Sequence, residues 1–187
     1  SRYRGYGYQL AYAGVDRDGG AIILKISGTM LDERETILGG GANMWTGEAG
    51  ASSWFADAGA TYSPGSNWQA NASYRRGWTR IGAAGLRDQA DWLASDAWSA
   101  DITRFGLFSL HDSLALRIAQ PLRVRSGGLN LTFPVGYDYS SLQASFGRQF
   151  VSLAPTGRER DIEAAYATPL AGGYLSANAY WRKEPGH

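Results

Sequence analysis

The sequence predicts an all-β fold: one antiparallel up-and-down barrel of about ten long strands, of the transmembrane type. Three observations predict it. Apolar and polar residues alternate in run after run, which sends one chemistry to each face of a strand. Several runs reach 11 to 14 residues, against about five or six in ordinary globular sheets and about 9–11 for a strand crossing a bilayer on a tilt. The early connections alternate between short and long, as they do in outer-membrane barrels.

The elements follow in order. Gly5 to Ala13 carries Tyr6, Tyr8, Leu10 and Tyr12 on one face, and Asp16 to Gly20 is a turn. Ala21 to Leu31 sets Ile22, Leu24, Ile26 and Met30 against Lys25, Ser27 and Thr29. A long segment from Asp32 to Gly50 follows. Ala51 to Tyr62 sets Trp54, Ala56, Ala58, Ala60 and Tyr62 against Phe55, Asp57, Gly59 and Thr61, and Ser63-Pro64-Gly65-Ser66 turns the chain. Asn67 to Arg80 sets Trp68, Ala70, Ala72 and Tyr74 against Gln69, Asn71, Ser73 and Arg75, so aromatics bound an alanine-filled band. After a second long loop, Ile81 to Leu93, the run Ala94 to Phe108 sets Trp98, Ala100 and Ile102 against Ser99, Asp101 and Thr103. Leu142 to Leu153, Asp161 to Thr168 and Tyr174 to Arg182 complete the set.

The most organised stretch is Ser113 to Asp138. Leu114, Leu116, Ile118, Leu122 and Val124 share one parity, with Gln120 as the exception. Leu129, Leu131, Phe133, Val135 and Tyr137 alternate with polar residues beyond Gly127-Gly128. A two-residue turn at those glycines predicts a hairpin in which Val124 faces Leu131, Leu122 faces Phe133 and Arg117 meets Asp138. Pro121 then falls opposite Pro134, and the breaks they cause fall in the ladders to the outer neighbours.

Composition bounds the function. The chain has 187 residues, 25 Gly, 11 Tyr, 7 Trp, no Cys and a net charge of +1. It is long enough for one domain with a core. Near-neutral charge does not point to a polyanion, so no nucleic-acid partner is expected, and the absence of cysteine removes disulfides and thiolate metal sites. No apolar run approaches the length of a transmembrane helix. The abrupt ends lead us to expect one β-domain over 1–187 that is a fragment of a longer chain.

In a membrane barrel the apolar face meets lipid and the polar face lines the interior. Arg75, Asp101, Arg117, Arg123, Arg125 and Asp138, with Glu163, are then the interior charge-pair candidates. A soluble antiparallel β-sandwich or open sheet shows the same alternation with the faces exchanged. Strand length, aromatics at strand ends and small band residues favour the membrane.

Enzymatic readings are weaker. His111-Asp112-Ser113 holds the residue types of a hydrolase triad, but adjacent residues on a tight turn do not align as nucleophile, base and orienter. With His187 terminal, a two-histidine metal site is not expected. Gly39-Gly40-Gly41 and Gly127-Gly128 lack the context of a phosphate loop. The tryptophans read as an interfacial girdle or core aromatics rather than sugar or base platforms. Asp16, Asp18 and Asp32-Glu33 lack calcium-loop spacing. The arginines, Arg148 included, read as charge pairs filling a narrow interior before they read as an anion-preferring lumen.

Five blocks carry a resemblance: GGGANMWTGE (39–48), ASYRRGWTR (72–80), SDAWSADITR (95–104), LALRIAQPLRVRSGGLNLTFPVGYDY (114–139) and LAPTGRERDIEAAYATPLAGGYLSANAYWRKEPGH (153–187). Together they cover most of the last 150 residues. They resemble the C-terminal region of large secreted subtilisin-like serine peptidases of Gram-negative bacteria. The resemblance implies a C-terminal β-domain of autotransporter type behind a catalytic domain on the same polypeptide. The family's Asp-Thr-Gly, His-Gly-Thr and Gly-Thr-Ser-Met-Ala blocks do not occur here, so no catalytic residue carries over. In such proteins the last strand ends in an aromatic residue; this chain ends at His187, so the final strand is expected to lie outside it.

The expectation is therefore a non-enzymatic, cofactor-free outer-membrane barrel that anchors, and helps export, an upstream passenger. Its partners are outer-membrane lipid and that passenger, with self-association through sheet edges left by truncation. The alternative is a soluble β accessory domain of the same peptidase, periplasmic or extracellular, for folding, dimerisation or substrate docking. A barrel-embedded lipid-modifying enzyme needs a His-Ser-acid set on the rim, where only His111 is available.

Overall fold

The computed structural model describes residues 3–15, 20–34, 36–37, 40–41, 50–65, 67–83, 86 and 89–185. The expected turn at 16–19, most of the glycine-rich segment 39–48 and His187 lie outside the described residues. All regular structure among the described residues is strand. The long elements are β1 (Tyr3–Val15), β2 (Ala21–Glu33), β5 (Ala51–Ser63), β6 (Trp68–Ile81), β7 (Asp91–Phe105), β8 (Ser113–Asp138), β9 (Gln143–Ser152), β10 (Arg160–Leu170) and β11 (Gly173–Lys183). Two short strands, β3 (Thr36–Ile37) and β4 (Gly40–Gly41), pair with each other inside the first long connection.

The nine long strands form one antiparallel sheet in the order β1-β2-β5-β6-β7-β8-β10-β11, with β9 on β8. No ladder joins β1 to β11, so among the described residues the sheet is open, where the sequence predicts a closed barrel. It is strongly curved all the same, because side chains from β1 through β10 border a single trough.

The connections sort by length. The links β1–β2, β5–β6, β7–β8 and β10–β11 are short and share one end of the sheet. Segments 34–50 and 82–90, and the projecting part of β8–β9, share the other.

The predicted turn at Gly127-Gly128 does not form. β8 runs straight through as a 26-residue strand, and Val124 pairs with Ser95 rather than Leu131, while Leu131 pairs with Gln149. A type I′ turn needs positive φ at both central residues; only Gly127 has it, at 107°. The glycines serve close approach instead. A Cβ on Gly127 would run into the Trp92 carbonyl oxygen, and one on Gly128 into the Val151 carbonyl oxygen. The two-residue turn occurs at Ala171 (φ 49°) and Gly172 (φ 83°), between the paired residues Leu170 and Gly173.

The real hairpin is larger. β8 forms one arm, and β9 followed by β10 forms the other: β9 pairs residues 128–138 of β8 and β10 pairs 113–119. Beyond β7 the β8–β9 ribbon continues alone. Both prolines sit at ladder breaks. The β7–β8 ladder bulges between Asp96 and Trp98, beside Pro121, and the β8–β9 ladder between Pro134 and Gly136. A missing amide proton is tolerated where the ladder is already interrupted.

The buried apolar cluster is small and lies at the long-loop end. Ile81, Leu93, Leu129 and Leu131 form it, with Leu86, Val124 and Phe133 against it. The base of the ribbon is tied there: Asn130 donates from its backbone and side-chain nitrogens to Asp91 (3.1 and 2.6 Å), and Thr132 N donates to Leu86 O (2.8 Å).

Candidate functional site: the polar trough

Alternation gives the sheet two unlike faces. The convex face presents Tyr8 (85% exposed), Leu10, Ile26, Leu116 (51%), Ile118 (39%) and Ile162. Cross-strand rows on it run Ala58–Tyr74–Trp98 and Ala60–Ala72–Ala100–Ile118, with Trp54–Trp78 toward the long-loop end and Tyr62–Ala70–Ile102–Leu116 toward the other. Unlike Leu116 and Ile118, Leu131 belongs to the buried cluster and Phe133 packs against it.

The concave face encloses a trough of about 710 Å³, bordered by Gln9, Lys25, Ser27, Asp57, Ser73, Arg75, Ser99, Arg117, Asp161 and Glu163 among others. Its polar groups engage one another across strands. Arg75 donates to Asp57 through Nε (2.5 Å) and Nη2 (3.3 Å), a two-pronged guanidinium–carboxylate contact. Ser27 Oγ adds a bond to the same carboxylate at 3.4 Å. Asn71 donates to Asp101 at 2.7 Å while its carbonyl oxygen accepts from Thr61 (2.8 Å) and Gln69 (3.3 Å). Ser73 and Ser99 share a 2.8 Å bond. Arg117 stands opposite Asp101 on one side and Glu163 on the other.

Along the border Lys25, Arg75 and Arg117 are balanced by Asp57, Asp161 and Glu163, three charges of each sign. The trough is thus a polar surface of balanced charge rather than an anion funnel. Such a surface suits water or a polar chain segment.

The candidate residues divide. Arg75, Asp101 and Arg117 lie on the concave face. Arg123 and Arg125 do not: the bulge beside Pro121 reverses the parity of β8, so Val124 turns to the cluster and Arg123 comes opposite Asp96 on the convex side. Asp138 closes β8 at the ribbon tip, far along the strand from Arg117, and holds the turn by accepting from Ser140 N, Ser140 Oγ and Ser141 Oγ at 2.7–2.8 Å. Those bonds hold its carboxyl down to about 2.

His111 is exposed, and its neighbour Asp112 is committed elsewhere. Asp112 is buried and accepts from the backbone nitrogens of Leu107, Phe108 and Ser109 and from Tyr166 Oη (2.9 Å). Burial pushes its carboxyl up, but the bonds from Phe108, Tyr166, Leu107 and Ser109 outweigh that and hold it below the usual value. The His-Asp-Ser sequence therefore shapes a turn. Among the described residues no group of three or more His, Asp or Glu side chains is arranged to hold a metal ion.

The Asp112–Tyr166 clasp and the arginines around Asp96 escape the sequence reading. The second left a trace: Gln120, the break in the apolar parity, donates to Asp96 at 3.0 Å. Comparison with family models, with curated proteins and with solved structures finds no match.

Proposed function

We propose that this chain is the membrane-embedded β-domain of an outer-membrane protein, which anchors an upstream subtilisin-like peptidase domain and helps export it. The observation that carries the reading is the disposition of the faces. Tyr, Leu, Ile, Trp and Ala look outward over most of the convex surface, while charged and hydroxyl side chains line the trough. That is the arrangement hydrocarbon demands and water penalises. Strands of 11 to 15 residues in β2, β5, β6, β7, β10 and β11 are long enough to cross on a tilt. The sorting of short turns to one end and long segments to the other supports the same reading.

In lipid the free edges of β1 and β11 must be paired, since each unsatisfied backbone group there costs several kcal/mol. Insertion therefore requires that these edges be closed, on each other or on another strand. The peptidase passenger rests on the resemblance of residues 39–187 alone.

A second reading, a soluble accessory domain of the same peptidase, is favoured by the open sheet and by the burial of Leu129 and Leu131. One experiment separates the two. The full polypeptide is expressed in a Gram-negative host with and without residues 1–187, and the upstream domain is followed by fractionation. We expect it in the outer-membrane fraction only when the β-domain is present. Recovery of the intact protein in the soluble fraction without detergent would overturn the proposal.

A further inference from the structure

One polar cluster interrupts the apolar convex face. Asp96 on β7 stands between Arg76 on β6 and Arg123 on β8 in the ladders. Arg76 Nη1 and Arg125 Nη1 approach the same Asp96 oxygen, Oδ2, at 3.9 and 3.7 Å. Both distances are too long for hydrogen bonds. The other carboxylate oxygen accepts from Gln120. Arg123 spends one nitrogen on Pro155 O (3.3 Å), and its Nε is shut off from water with no acceptor.

Two guanidiniums thus lean on one carboxylate, and a third, Arg123, lies on the strand position opposite it; the group carries a local charge of +2 with most of its donors unspent. Their surroundings are aromatic. Trp78 and Trp98 lie two residues along β6 and β7 on the same face, and Arg76 lies over the Trp78 ring at 5.9 Å. Trp54 and Trp92 stack at 6.0 Å in the next rows. Tryptophan beside arginine on a lipid-facing surface marks the depth of the headgroups. A guanidinium fork matches the oxygens of a phosphate.

We propose that Arg76, Arg123 and Arg125 bind the phosphate of an anionic lipid at the membrane interface. Asp96 draws Arg76 and Arg125 toward one point and offsets their mutual repulsion, while Gln120 fixes the other oxygen of that carboxylate. The inference rests on the membrane reading above. Free phosphate offers the same oxygens but no acyl chains to lie along the convex face, so the lipid is the occupant.

The test uses the whole chain refolded into phosphatidylcholine vesicles containing a minor share of phosphatidylglycerol. The protein is floated with the vesicles, extracted in mild detergent, and its retained lipids are counted by mass spectrometry. We expect phosphatidylglycerol enriched over its bulk share. Each arginine neutralised, as Arg76→Gln or Arg125→Gln, lowers that enrichment roughly fivefold. Arg104→Gln, which removes a convex arginine lying over Trp68 instead, leaves it unchanged, and millimolar inorganic phosphate does not compete. Floating without enrichment, or equal loss in Arg104→Gln, overturns the site and leaves the membrane reading standing. Displacement by inorganic phosphate overturns the lipid assignment. Failure to float at all overturns both.

Discussion

Arg117 and Glu163 stand opposite each other on the concave face, one residue along from Ile118 and Ile162, which stand opposite each other on the convex face. A single step along β8 and β10 thus passes from a charge pair to an apolar pair. The pleat enforces that change, and a one-residue slip would put both charges among the isoleucines.

An arginine at Ile118 tests what lies outside. In bilayers we expect Ile118→Arg to cost about 2–4 kcal/mol if the residue sits near mid-membrane. On a water-exposed face the same change would stay within about 0.5 kcal/mol. Urea unfolding of vesicle-inserted protein measures the difference.

The cluster at the long-loop end makes a separate prediction. Leu131 is 5% exposed among Ile81, Leu93 and Leu129. Leu131→Ala is expected to cost about 2–5 kcal/mol, and Leu116→Ala, on the exposed face, much less. Denaturation midpoints of the two variants give the comparison.

The two glycine-bearing sites should respond in opposite directions. Gly127→Ala places a side chain at a φ of 107° and against Trp92, so we expect a loss above about 1–2 kcal/mol from the backbone alone. Ala171→Asn converts a strained type I′ turn into Asn-Gly, for a gain of about 0.5–1 kcal/mol. If Gly127 were a turn residue, Gly127→Asn would be tolerated; unfolding curves decide.

Acid should loosen the two carboxylate clasps. The bonds from Ser140 and Ser141 hold the folded Asp138 carboxyl down to about 2, against an ordinary 3.8. Its contribution is therefore full above the ordinary value and fades as pH falls toward the folded one. Asp112 is shifted in the same direction. Asp138→Asn and Asp112→Asn are expected to be less stable at neutral pH, with the deficit shrinking on acidification. Urea midpoints measured against pH test this.

Strand runs and face assignments were legible because alternation is local: Trp54 to Tyr62 and Trp68 to Tyr74 read correctly from parity. The turn at Gly127-Gly128 was not. Two glycines look alike whether they bend a chain or let neighbouring backbones approach, and Trp92 and Val151 decide that from distant parts of the sequence. Arg123 and Arg125 were placed on the wrong face because parity was carried across Pro121, where a bulge reverses it. The cluster around Asp96 joins three strands and had no local signature beyond Gln120. Openness at β1 and β11 concerns pairing between chain ends, on which alternation is silent.

The most direct measurement compares two neighbouring residues. The chain has no cysteine, so Ala72→Cys on the convex face and Ser73→Cys in the trough each give a single labelling site. With a fluorophore on each and the protein in bilayers, we expect a lipid-attached quencher to silence the label on the Ala72→Cys variant. Aqueous iodide should silence the one on Ser73→Cys. Iodide reaching both labels equally, with no effect from the lipid quencher, would contradict the outward-facing apolar surface.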